Sequence, residues 1–293
     1  MTTTSERING LTVCTLVRGR RDHLVNLMRG LRWQERMPDE LVITWMQETQ
    51  HDDLPDPGCP VRHVFVSGEE LPLAAARNAA AGAARYEKLV FLDVDCIPSP
   101  ALIARYDRAL DQHHGLFLSE ILYLPQGAGG DDLEIARLDE LGKVHPSKPP
   151  IPETGLREEP DHDEFWGLCF GIHASTWDEL GGMDEGYIGY GAEETDLAAR
   201  LRKAGVPVFW TAGARAWHQH HEVYTPPLQH FDAIIRNARR YHEKWNRFPM
   251  TYWLGQFADL GLISRAAGKI NVIRKPTDAE IAGALQPPDI LFS

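Results

Sequence analysis

Short apolar runs alternating with stretches of helical period constrain this chain more than any other feature of its sequence. "LTVCTLV" (11–17), "ELVITWM" (40–46), "VRHVFV" (61–66) and "KLVFLDV" (88–94) have the length and side chains of buried strands. Between them, "RDHLVNLMRGL" places Leu24, Leu27, Met28 and Leu31 at helical spacing. "LPLAAARNAAAGAARY" (71–86) is an Ala-rich helix with Pro72 near its start, and "SPALIARYDRAL" restarts a helix with Ser99 as cap and Pro100 at its first position. Strands alternating with helices predict parallel strands under crossover helices, the α/β class.

Residues 125–164 break this rhythm. They are rich in Pro, Gly, Asp and Glu, and a connection of this length predicts a functional flap or a disordered insertion. The alternation then resumes. "FWGLCFGIH" reads as a strand, "STWDELGG" as a short helix, and "EETDLAARLRKAG" as a helix closed by Gly205. "VPVFW" and "ARAWH" read as two further short strands, and "LQHFDAIIRNARRYHEKW" as an amphipathic helix that packs on the preceding domain in preference to a membrane surface.

At 293 residues the chain can bury a full core. The net charge of −12 argues against a nucleic-acid partner and leaves room for a nucleotide whose diphosphate a cation neutralises. Cys14, Cys59, Cys96 and Cys169 are scattered, as expected of reduced thiols. "MTTTSERING" lacks the basic start and apolar run of a secretory signal, so the cytoplasm is the expected compartment.

Four places could carry chemistry. Asp93 and Asp95 follow the strand at 88–92, and a persisting strand would point both to one side of the carboxyl edge, where open α/β sheets bind ligands. Two such carboxylates repel unless a proton or a hard cation such as Mg²⁺ or Mn²⁺ lies between them. The plainer alternative is one capping and one solvated Asp. "AWHQHHE" (216–222) offers imidazoles: His218 is the preferred ligand, with His220 sharing its face in a strand or His221 in a helical turn. "GYIGYGAEETDLAARL" (186–201) delivers Glu193, Glu194 and Asp196 on a Gly-rich segment, either to complement a helix dipole or to supply a general base. Arg77, in the Ala-rich helix, suits a phosphate or Asp93, and Trp166 suits a sugar face or a core.

Together these stretches resemble an inverting glycosyltransferase of the GT-A fold, family 2 type. The first part is similar in "PLAAARNAAAGAARYEKLVFLDVDCIP", with its Arg-Asn pair before D-x-D. The second part resembles the C-terminal part of β-1,4-galactosyltransferases in "FWGLCFGIHASTWDELGGMDEGYIGYGAEETDLAARLRKAG". The resemblance covers roughly residues 10–221. It implies a GT-A domain over 1–225, divided into a nucleotide-sugar half (about 10–120), a flexible loop (about 125–164) and an acceptor half (about 165–225), with a C-terminal helical extension at 226–293 packed on it. The implied reaction moves a hexose from a nucleoside diphosphate sugar, UDP favoured, to an acceptor hydroxyl with inversion. Asp95 and His218 would hold a divalent cation, Mn²⁺ or Mg²⁺, and Asp93 would contact ribose or sugar. Glu194 would be the base, with Glu193 on acceptor hydroxyls, Arg77 on the diphosphate and Trp166 lining the sugar pocket.

The chain departs from the family in three places. "WMQETQHDD" carries its acids later than the base-reading position, Tyr190 stands where the galactosyltransferases have Trp, and Glu stands in place of Asp at 194, where it is still able to act as base. The competing expectations are a retaining GT-A enzyme and a non-catalytic nucleotide-sugar-binding module. A haloacid-dehalogenase phosphatase fits less well, because its D-x-D lies near the N-terminus.

Overall fold

The computed structural model describes residues 7–130, 133–266 and 268–292. In chain order the first half contains β1 (Ile8–Val17), α1 (Arg21–Leu31), β2 (Glu40–Trp45), β3 (Val61–Phe65), α2 (Leu73–Ala83), β4 (Tyr86–Leu92), β5 (Cys96–Pro98), α3 (Leu102–Gln112) and β6 (Leu116–Tyr123). Next come α4 (Ile135–Leu141), β7 (Lys143–Val144), β8 (Leu156–Glu158), β9 (Cys169–His173), α5 (Ala174–Glu179), α6 (Glu193–Ala204) and β10 (Val208–His218). The C-terminal part holds α7 (Phe231–Trp245), α8 (Thr251–Asp259), β11 (Ile263–Ala266), β12 (Lys269–Val272) and α9 (Asp278–Ala284).

The main sheet runs β3-β2-β1-β4-β9-β6-β10-β5. On this path β9 and β5 run against the other strands, so the sheet is mostly parallel, as the strand–helix alternation predicts. Period-two alternation divides each strand between two helical layers. In β4, Val90 and Leu92 pack with Leu24, Leu27 and Leu31 of α1 and Ile103 and Tyr106 of α3. Leu89 and Phe91 face the other way, against Ala80 of α2, Trp177 of α5 and Leu197 of α6. Each fully buried side chain of this size contributes about 1.5–3 kcal/mol, so the two layers hold the sheet edge rigidly beneath the loops that cross it.

Local readings differ from the structure in three places. "VPVFW" and "ARAWH" are one strand, β10, whose register on β6 shifts between Trp210 and Arg215, with Gly213 at φ 72°. A bulge re-aims the strand without ending it. Ser99 does not cap α3, which begins at Leu102 without a side-chain cap. Ser99 is held instead by its N–H on the Arg215 carbonyl at 3.0 Å, at the end of β5. The 125–164 connection carries α4, β7 and β8; β7 pairs with β6 and β8 with β10, so the flap is pinned to the sheet at two points.

The C-terminal part has its own apolar cluster, including Phe231, Ile234, Leu254, Phe257 and Ile270. Thr277 and Glu280 form a reciprocal capping box at the start of α9. Among the described residues no helix is long and apolar enough to cross a membrane.

Candidate active site

β4 ends at Leu92, and the two aspartates lie in the turn that follows it. The Cys96 N–H closes that turn on the Asp93 carbonyl at 2.8 Å. The extended backbone therefore does not persist through the pair, and the expectation that both carboxylates face one space is corrected: Asp93 goes to Arg77 and Asp95 to the end of β10. Gln219 fixes the second direction, donating its N–H to the Asp95 carbonyl at 2.6 Å.

Asp95 is 7% exposed at its side chain, with Nε2 of His218 3.7 Å from Oδ1 and Nε2 of His221 3.8 Å from Oδ2. One ligand atom from each of these three residues lies within 4.8 Å of the others. The β10 strand stops at His218, so His221 reaches the group from the irregular segment beyond and His220 does not join it. Burial would raise the Asp95 carboxyl, yet His218, Arg20 and His221 together hold it down at about 2. Burial pushes His218 down to about 4, leaving a neutral imidazole with a free lone pair.

Oδ1 of Asp95 is a buried oxygen without a hydrogen-bond partner. An ionised carboxylate, the neutral His218 imidazole, the His221 ring beside it and an orphaned buried acceptor suit a Mn²⁺- or Mg²⁺-like ion, so these residues fit the cation that the sequence resemblance implies.

The second cluster centres on Arg77, which is 2% exposed. Nη2 lies 3.1 Å from Oδ1 of Asp93 and 3.4 Å from Oε1 of Glu194, and Nη1 lies 3.5 Å from Oε1 of Glu193. Both glutamates open α6, whose preceding residue, Ala192, has φ 78°. That left-handed conformation, costly for a residue with a Cβ, follows Gly191 at φ 91° and aims the first turn inward.

Gly167 completes the seat: any Cβ there would collide with the Glu194 carboxylate. Burial, then Glu193, push Glu194 up to about 8 against the opposing pull of Arg77. Burial and Asp95 outweigh Arg77 at Asp93 and raise it to about 6. Glu193 is also raised, chiefly by burial. Three acids sharing one guanidinium form a proton-holding group of the kind general acid–base chemistry uses.

Asp196, the third acid of the same turn, is turned away. It accepts hydrogen bonds from Trp245 Nε1 and Arg200 Nε, both at 2.8 Å, and has Lys244 Nζ at 2.7 Å. Its place is structural, in the seam with α7.

Between the flap and β6 lies a cavity of about 570 Å³, lined in part by Tyr123, His145, Lys148, Glu164, Trp166 and Trp210. Lys148 Nζ sits 3.3 Å above the Trp166 ring and donates to Glu164 Oε2 at 3.0 Å. Tyr123 packs on His218 with ring centroids 4.8 Å apart, so the cavity adjoins the histidine group. Tyr190 stacks on His230 at 4.5 Å, facing the C-terminal part.

Three participants escaped the sequence reading: Arg20, which pairs with Asp95, Tyr123 and Lys148. Arg20 carried a signal, since "VRGRRDHL" follows the first strand directly at the carboxyl edge. Tyr123 and Lys148 carried none, because the pairing of β6 with β10 sets Tyr123 beside His218 and the folded flap brings Lys148 to Trp166.

The fold is that of the GT-A glycosyltransferases. Residues 156–228 match the family described as the N-terminal domain of galactosyltransferase. Among solved structures the chain is similar to GalNAc-T7 with UDP, GalNAc and Mn²⁺, at TM-score 0.52 and 17% identity, over 72% of this chain and 43% of that one. It is also similar to S. aureus TarS 1–349, at TM-score 0.53 and 12% identity over 80% of this chain and 65% of that one. Against S. aureus TarS the values are 0.52 and 11%, over 80% and 40%. The chain thus spans less than two thirds of each of these proteins. No curated protein matches it in sequence.

Proposed function

We propose that the protein is a metal-dependent inverting hexosyltransferase that uses a nucleoside diphosphate sugar, UDP-linked by preference, and an acceptor hydroxyl. The observation that carries this reading is the convergence of Asp95, His218 and His221 at the sheet edge, with the Arg77-held acids behind the same turn. A GT-A-fold protein whose structure holds UDP, GalNAc and Mn²⁺ supports the donor and cation classes.

In this reading Asp95, His218 and His221 would hold the cation, Mn²⁺ or Mg²⁺. A cation bound there supplies Lewis-acid stabilisation of the charge on the departing diphosphate. Asp93 accepts from the ribose or sugar hydroxyls beside it. Glu194, as carboxylate, takes the proton of the acceptor hydroxyl, which attacks the anomeric carbon from the face opposite the leaving group. Glu193 holds acceptor hydroxyls and tunes Glu194 by its charge. The sequence suggested Arg77 as a diphosphate ligand; its nitrogens point to Asp93, Glu193 and Glu194, so we assign it to holding those acids in register. Trp166 lines the sugar pocket, and the flap keeps water from the donor.

We assign residues 1–225 to the catalytic domain and 226–293 to an extension whose α7 braces the Gly-rich segment, with Asn237 donating to the Gly191 carbonyl at 2.9 Å. The four free thiols, three of them buried, support action in the cytoplasm.

A thermal-shift screen of UDP-, GDP- and dTDP-sugars with and without Mn²⁺ tests the donor class, and the anomeric configuration of the product separates inversion from retention. Stabilisation by a UDP-sugar only when Mn²⁺ is present is expected. Indifference to every nucleotide sugar would overturn the reading.

A further inference from the structure

We infer that Arg20 is an exchangeable counter-ion, pairing with Asp95 while no cation is bound and turning to the donor's diphosphate once one is. The inference rests on the function proposed above.

The Arg20 guanidinium is ion-paired with Oδ2 of Asp95, the oxygen that faces His221. A cation drawing on Asp95, His218 and His221 would sit against that carboxylate. Two positive groups at one carboxylate repel, strongly so where the site is buried from water. Guanidinium and cation therefore compete for Asp95.

Arg20 can also leave. Its side chain is 41% exposed, against 7% for Asp95, and Asp95 is its one hydrogen-bond partner among the described residues. A guanidinium has five N–H donors in a planar fork that matches phosphate oxygens, so most of its donors are unspent here. An arriving diphosphate offers them partners and draws the charge off Asp95.

The surrounding backbone keeps this exchange local. Gly19 and Arg20 both have left-handed backbone, at φ 60° and φ 48°, immediately before α1. A non-glycine residue held there is strained and commonly marks a functional turn. Behind it α1 is tied to the histidine side: Asn26 Nδ2 donates to Gln219 Oε1 at 2.8 Å, and Gln219 Nε2 donates to the His23 carbonyl at 3.1 Å. The helix is anchored while the Arg20 side chain, just before it, is free to swing.

The consequence is reciprocal coupling. Nucleotide that engages Arg20 unmasks Asp95 for the cation, and cation that displaces Arg20 frees it for the nucleotide. This orders loading: each ligand alone binds weakly, and the pair binds well.

Calorimetric titration of the full chain with Mn²⁺, with and without UDP, tests this on wild type, Arg20→Gln, Arg20→Lys and Asp95→Ala. Arg20→Gln should bind Mn²⁺ alone roughly ten-fold more tightly than wild type, within the usual range of such couplings. UDP should then improve Mn²⁺ affinity much less than it does in wild type. Arg20→Lys keeps the charge and should restore wild-type Mn²⁺ affinity, which a merely structural role would not produce. Arg20→Gln that binds Mn²⁺ no more tightly than wild type, while Asp95→Ala abolishes binding, overturns the role of Arg20 and leaves the cation site standing. Absence of Mn²⁺ binding in all four proteins overturns the site and this inference together.

Discussion

Nη2 of Arg77 stands 3.4 Å from Oε1 of Glu194 and 3.1 Å from Oδ1 of Asp93, so one buried cation joins the acid turn after β4 to the first turn of α6. That link connects the proposed donor side of the site to the proposed base. Each experiment below perturbs it or one of the groups it aligns.

Glu194→Gln keeps the side chain's shape and removes its basicity. Transfer should fall about 10²–10⁴-fold, the usual contribution of a positioned general base. Donor binding measured calorimetrically should stay within a few-fold of wild type. Transfer at near wild-type rate would move the base elsewhere.

Glu194 is held up to about 8 by burial and Glu193, and only its carboxylate form can accept a proton. The rate should therefore rise with pH through a midpoint near 8. Glu193→Gln removes the neighbouring charge, so its profile should shift to lower pH. The stability sign follows from the same group. Its carboxyl is raised in the fold from an ordinary 4.5, so it favours folding when protonated and loses stability as pH climbs from about 4.5 to 8. Thermal melting of Glu194→Gln should decline less over that window than wild type.

Asp95→Ala should lose Mn²⁺-dependent UDP binding, and a chelator should have the same effect on wild type. Its melting temperature should change little, because the partner left behind, Arg20, is 41% exposed and can solvate its own charge. A large drop in Tm would show a structural role in place of a binding one.

Arg77→Ala is the contrasting case. It leaves Asp93, Glu193 and Glu194 crowded without their shared cation, and breaking a buried pair in this way costs about 3–5 kcal/mol. Denaturant unfolding measures this directly, and because the stranded acids can protonate, the loss should be smaller at pH 5 than at pH 8.

Asn237 is wholly buried and donates to the carbonyls of Ile188, Tyr190 and Gly191 at 3.1, 3.3 and 2.9 Å. It holds the segment that aims Glu193 and Glu194. Asn237→Ala should cost about 1–3 kcal/mol of stability, the desolvation penalty of buried acceptors left unpaired. Steady-state kinetics should show kcat reduced more than donor affinity, since the contacts proposed for the donor lie across the site on Asp93 and Asp95.

Some of this was legible in the amino-acid order because it depends on local spacing. Alternating apolar runs specify strands with two buried faces, and Gly191 and Ala192 followed by two glutamates specify a turn that opens a helix with its acids exposed to whatever lies before it. Asp95 and His218 could be nominated from chemistry alone. The i, i+2 argument for Asp93 and Asp95 failed because strand geometry stops at Leu92, and a single turn sends neighbouring side chains to different partners.

The sequence by itself determined the layered α/β order, the placement of acids at the carboxyl edge of the sheet, and the supply of candidate ligands. Only the tertiary structure decided that His221 and not His220 accompanies His218, that Arg77 serves three carboxylates, and that Arg20 reaches Asp95. The reason is distance along the chain. Arg20 and Asp95 are 75 residues apart, and Arg77 and Glu194 are 117 apart. Such pairs meet through the packing of whole elements, which no local pattern of side chains encodes.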